Sequence, residues 1–134
     1  MVDFLEQDLS IIQYKDLLKS IRNHCLSNYP YESGGLILAN GVIKEYPSKI
    51  KDCHNYLPID DFYIDIVKNH NVVASFHSHL NSLTPSDNDL FFMKNYDIPI
   101  IIYSLNKNTF LSVNINSETN LITWNFEEVC LPKI

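Results

Sequence analysis

Positive charge is scarce in this chain. Ten lysines and arginines stand against sixteen aspartates and glutamates among 134 residues, a formal net charge of −6. The densest basic patch, Lys44, Lys49 and Lys51, is diluted by Glu45 and Asp52. Nucleic-acid binding draws on clustered cations that neutralise phosphates, so the composition argues against that class of partner. No apolar run reaches the ~20 residues of a membrane-crossing helix. The opening Met1-Val2-Asp3-Phe4-Leu5-Glu6 is acidic and has neither the basic nor the apolar region of a secretory signal. Cysteines are few: Cys25, Cys53 and Cys130 are an odd set without zinc-finger spacing. Free, buried thiols in a reducing, cytoplasmic setting are expected. Internal repeats, low-complexity tracts and linkers are absent too.

What is there is globular. Hydrophobic residues make up 46% and charged residues 19%, and the length suits one domain over 1–134 with a core of its own. Ser10 with Gln13 forms a capping-box pattern. After it Tyr14, Leu17, Leu18, Ile21 and Cys25 recur at helical spacing, with Lys15, Lys19, Arg22 and Asn23 largely on the other side. Pro30 ends that region. Gly34-Gly35 permits an unusual turn or a close backbone approach. Leu36-Ile37-Leu38-Ala39 reads as a buried strand, and Asn40-Gly41 as a hairpin turn that returns it over 42–46. Residues 47–60 read as loop with one edge strand, and 62–67 stays open between strand and helix. Val72 to His79 is a strand, about Ser86 to Asn95 a helix with Leu90, Phe91 and Met93 on its buried side. Pro99 to Tyr103 is a β-branched central strand, and two further strands follow in an antiparallel meander.

The chemistry gathers at Phe76-His77-Ser78-His79 and Ser86-Asp87-Asn88-Asp89. Residues i and i+2 of a strand share a face, so His77 and His79 project side by side. Ser86 with Asp89 is a capping box with aspartate in place of glutamate, which sets a carboxylate at a helix start, where the dipole favours it. Two imidazoles and one carboxylate are a three-ligand zinc set with a fourth position open, the catalytic kind. The plainer readings are a strand decorated with histidines, a helix cap at Ser86 and a solvated Asp87. Glu32 alone is an ordinary acid. Cys53-His54 lacks further ligands, and His24 and His70 have no visible partner.

Taken together, His77-Ser78-His79 and Ser86-Asp87-Asn88-Asp89 resemble the signature of the JAMM (MPN-plus, JAB-domain) zinc metallopeptidases. Pro30-Tyr31-Glu32-Ser33-Gly34-Gly35-Leu36 is similar to that family's segment after the first helix. Cys53-His54-Asn55 with Phe62-Tyr63-Ile64-Asp65 resembles the branch found in tail-assembly proteins of lambda-like phages. The resemblance covers about residues 10 to 115. It implies a mixed α/β fold, a curved central mixed sheet flanked by helices. It also implies one Zn2+ held by His77, His79 and Asp89, Glu32 as general acid/base, and Ser86 steadying the oxyanion. Leu80 stands where the family usually has proline, and the loop from His79 to Ser86 is shorter than the common form, which tests the reach of Asp89. The implied activity is hydrolysis of a peptide or isopeptide bond. Its client would be a protein or peptide: a phage tail component, in the host cytoplasm or virion tail, or a ubiquitin-like or sulfur-carrier protein trimmed by a bacterial enzyme. A scaffold that keeps the fold without catalysis is the third possibility.

Overall fold

The computed structural model describes residues 11–39, 41–45, 52, 72–96, 98–115 and 122–127. Helix α1 spans Ile11–Ser27, strand β1 Gly34–Leu38, β2 Ile43–Glu45, β3 Val72–His79, helix α2 Asp87–Tyr96, β4 Ile100–Ser104, β5 Thr109–Ile115 and β6 Ile122–Glu127. The class is mixed α/β, as expected. The strands form one open sheet in the order β2-β1-β3-β4-β5-β6. Only the β3–β4 pair is parallel; the other pairs are antiparallel. Helix α2 supplies the crossover that a parallel pair requires. Because β1 runs opposite to β3, the residues entering β1 lie beside the residues leaving β3. That arrangement decides where the site forms.

Alternation along each strand sorts side chains onto two faces. On one, Leu17, Leu18, Ile21 and Cys25 of α1 join Ile37, Ala74, Phe76, Ile101, Tyr103 and Phe110. On the other, Met93 of α2 joins Leu36, Ile100, Ile102, Leu111 and Val113. Burial on both faces explains why Ile100 to Tyr103 reads as an unbroken apolar run; all five residues of the strand Ile100–Ser104 are buried.

Gly35 is needed for a close approach. A Cβ there would clash with the Lys44 carbonyl oxygen and meet the Phe76 ring at 2.9 Å. The hairpin after β1 closes with Gly41 N–H donating to the Leu38 carbonyl at 2.9 Å, Gly41 itself taking a left-handed φ of 82°. This is a three-residue connection, and glycine carries the positive φ. The meander of β4, β5 and β6 is present, and Asn108 takes the left-handed φ of 49° in its first turn, a conformation asparagine tolerates.

Three expectations are corrected. Arg22 is only 2% exposed: it falls four residues after Leu18 and three before Cys25, on the buried stripe. Its guanidinium lowers the Tyr103 phenol pKa, although burial prevails and pushes that group up to about 12. Phe91 is 69% exposed, while Met93 is fully covered and Leu90 partly so. At 100° per residue, Phe91 points away from the face shared by 90 and 93. His24 has a partner that the sequence did not reveal, Glu45 of β2, with Nδ1–Oε1 at 2.9 Å. The expectations for residues 47–51, 53–60 and 62–67, and for Cys53, His54, His70 and Cys130, lie outside the described residues. Among those described, no helix is long and apolar enough to cross a membrane.

Candidate metal centre

His77 and His79 end β3, on the face that α2 covers. Their Nε2 atoms are 3.1 Å apart, and the ring planes are tilted by 52°. The Asp89 carboxylate straddles them, with Oδ1 3.0 Å from His77 Nε2 and Oδ2 3.3 Å from His79 Nε2. All three side chains are 13% exposed or less. Among the described residues this trio is the group of donors close enough to hold a metal ion.

Asp89 reaches this point because the start of α2 is locked. Ser86 N–H donates to Asp89 Oδ2 at 2.8 Å, Asp89 N–H donates to Ser86 Oγ at 3.1 Å, and Leu90 N–H donates to the Ser86 carbonyl at 3.0 Å. Ser86 is therefore the N-cap of a complete capping box. The bond that caps the helix also fixes the rotation of the carboxylate. The shorter loop does not pull Asp89 away. The loop's other end is held by the turn after β4: Leu105 N–H donates to the His79 carbonyl at 2.8 Å and Asn106 N–H to the Leu80 carbonyl at 2.9 Å.

The spacing fits a metal. Zinc bonds of about 2.0–2.2 Å place neighbouring corners of a tetrahedron roughly 3.3 Å apart; the two Nε2 atoms stand near that edge at 3.1 Å, and one donor atom from each of the three residues lies within 4.8 Å of the others. Charge favours a cation as well. Burial raises the Asp89 carboxyl pKa, but His77 and His79, with the Ser86 amide, overcome this and hold it well below the usual range. Nδ1 of His79 is buried and has no hydrogen-bond partner among the described residues; ligating histidines usually have such a partner at the second ring nitrogen.

Glu32 comes from the chain entering β1. With Leu36 on the α2-covered face, alternation puts Gly34 and Glu32 on that face too. It is 8% exposed and lines a cleft of about 370 Å³ together with His79, Asp89, Ser86 and the loop between them. Burial pushes its pKa up to about 7, with His79 working against the rise and Asp89 and Asp52 adding to it. Asp52 is the neighbour that sequence reading missed: its carbonyl accepts the Glu32 N–H at 2.8 Å. No motif marks it, since it sits in a stretch without period.

All five residues singled out in the sequence thus gather in one place: His77, His79 and Asp89 as converging donors, Glu32 and Ser86 on the walls beside them. Compared with known proteins, the chain matches no family model and no curated protein sequence.

Proposed function

We propose that the chain is a zinc-dependent metallopeptidase or isopeptidase of the JAMM type, with a JAB-like fold. The observation that carries this reading is the convergence of two Nε2 atoms and a cap-locked carboxylate within 3.0–3.3 Å, beside a buried acid with a pKa raised to about 7.

His77, His79 and Asp89 would hold zinc, which when bound supplies Lewis acidity and lowers the pKa of a water from about 15.7 to roughly 7. Glu32, a carboxyl on the cleft wall beside the donors, would take up a proton and return it to the leaving amine. Ser86 Oγ accepts the Asp89 amide, which leaves its own proton to donate into the cleft, where an oxyanion develops. The cleft is at the small end of ligand sites and suits an extended peptide segment. The client is a protein or peptide, in the line of tail components or of ubiquitin-like and sulfur-carrier proteins.

The test is elemental analysis of protein purified without chelator, followed by hydrolysis of internally quenched peptides of randomised sequence. About one zinc per chain is expected. Glu32→Gln is expected to retain the metal and lose roughly 100- to 10,000-fold in rate. A site that refuses added zinc, or Glu32→Gln cleaving at the wild-type rate, overturns the reading and leaves the non-catalytic scaffold.

A further inference from the structure

We propose that Ser78 is a positioning residue: its hydroxyl replaces a strand carbonyl at the end of the β1–β3 ladder and so sets where Glu32 stands relative to the metal ligands. The catalytic part of this inference rests on the hydrolase reading above. The hydrogen-bonding part does not.

Ser78 lies between His77 and His79 in sequence, yet alternation turns it to the opposite face, toward α1, where it is 0% exposed. It cannot touch a metal held by its neighbours. The β1–β3 register ends at Gly34↔His77, so the next pair outward is Ser33 with Ser78. In an antiparallel ladder a hydrogen-bonded pair exchanges two N–H···O bonds between main chains. Here one of them is kept, Ser78 N–H donating to the Ser33 carbonyl at 2.8 Å. In the other, Ser33 N–H donates to Ser78 Oγ at 3.0 Å.

The exchange of a side-chain oxygen for a main-chain one happens where the strands part. One residue upstream, the Glu32 N–H points to the opposite edge of the chain, as the alternation of an antiparallel ladder requires, and donates to the Asp52 carbonyl. The main chain of Ser33 is thus held on both sides, by N–H and by carbonyl, to a residue flanked by two metal ligands. Glu32 is attached directly to it. Behind the pair, the Cys25 thiol of α1 lies against the Ser33 and Ser78 hydroxyls, and burial pushes that thiol up to about 12. Three small polar side chains therefore sit together on the face that also carries Phe76, Ile21 and Tyr103. A buried N–H without an acceptor is disfavoured, so loss of the Ser78 hydroxyl requires the Ser33 main chain to move. Misplacing a catalytic group by about 1 Å can cost on the order of 100-fold in rate.

The experiment compares full-length wild type, Ser78→Ala and Ser78→Thr. Its readouts are amide hydrogen exchange, zinc titration and hydrolysis of the same quenched peptides. In Ser78→Ala the Ser33 amide is expected to exchange at least ~10-fold faster while β4 amides keep their protection. Zinc affinity should hold, and kcat should fall roughly 10- to 100-fold with KM unchanged. Ser78→Thr keeps the hydroxyl and should restore both exchange and kcat. Ser78→Cys, close in volume but a weak acceptor, replaces Ser78→Ala if that variant does not fold. Unchanged Ser33 exchange in Ser78→Ala overturns the proposal, as does a wild-type rate despite an exposed Ser33 amide. If zinc-loaded wild type cleaves none of the peptides, the hydrolase reading and the catalytic part fall together. Ser33 exchange then still supports or overturns the hydrogen-bonding part.

Discussion

The two faces of β3 differ sharply. Toward α1, Ala74 and Phe76 are fully buried in the larger apolar cluster. Toward α2, His77 and His79 are almost as well covered but polar, and they face a carboxylate across 3.0–3.3 Å. One strand thus presents a side that is apolar at Ala74 and Phe76 and a side that carries two candidate metal donors, two residues per period. Burying polar groups is unfavourable without partners, so the ligating side depends on burial elsewhere. The lesson is a division of labour: the α1 face holds the sheet rigid, and the α2 face uses that rigidity to keep three donors on one point.

The comparison can be broken most severely at Phe76. Phe76→Ala should destabilise the fold by about 3–5 kcal/mol, measured by denaturant unfolding, while the folded fraction binds zinc as before. Loss of metal binding in step with the side chain would mean that the faces are not separable. A smaller effect sharpens the other side. Zinc at roughly 100 times its dissociation constant should stabilise the wild type by about 2.7 kcal/mol. A chelator should remove that gain, and His77→Ala should never show it.

A further effect is read from pH. In the metal-free protein the Glu32 carboxyl has its pKa raised by burial from 4.5 to about 7. The folded state therefore binds this proton more tightly than the unfolded chain. Between about pH 4.5 and 7 its contribution to stability falls as pH rises, by at most about 1.4 kcal/mol per pH unit. Glu32→Gln should remove that slope, so the difference between the two proteins' unfolding curves isolates it. Parallel curves would show that Glu32 is not buried as described.

The strands and the donors were legible in the sequence because each obeys a local rule. His77 and His79 needed only strand alternation, and Asp89 needed only the capping box with Ser86. The strand Ile100–Ser104 announced itself by three successive β-branched residues, Ile100, Ile101 and Ile102. Arg22 was misplaced because its charge outweighed its position, although its spacing from Leu18 and Cys25 put it on the buried stripe. Phe91 was misplaced for the opposite reason, hydrophobicity outweighing position. Glu32 gained its setting from sheet order: β1 is antiparallel to β3, and no local pattern states that. Asp52 and the His24–Glu45 pair depend on contacts between distant segments, which no spacing rule reaches.

The capping box has one more consequence. The oxygen that accepts the Ser86 amide is also the one nearest His79, so the first turn of α2 and the occupancy of the centre form a single linked equilibrium. An ion that grips Asp89 steadies the helix start, and a frayed helix start loosens the grip. The amide protons of Ser86, Asp89 and Leu90 thereby become a built-in gauge of loading, readable without any substrate.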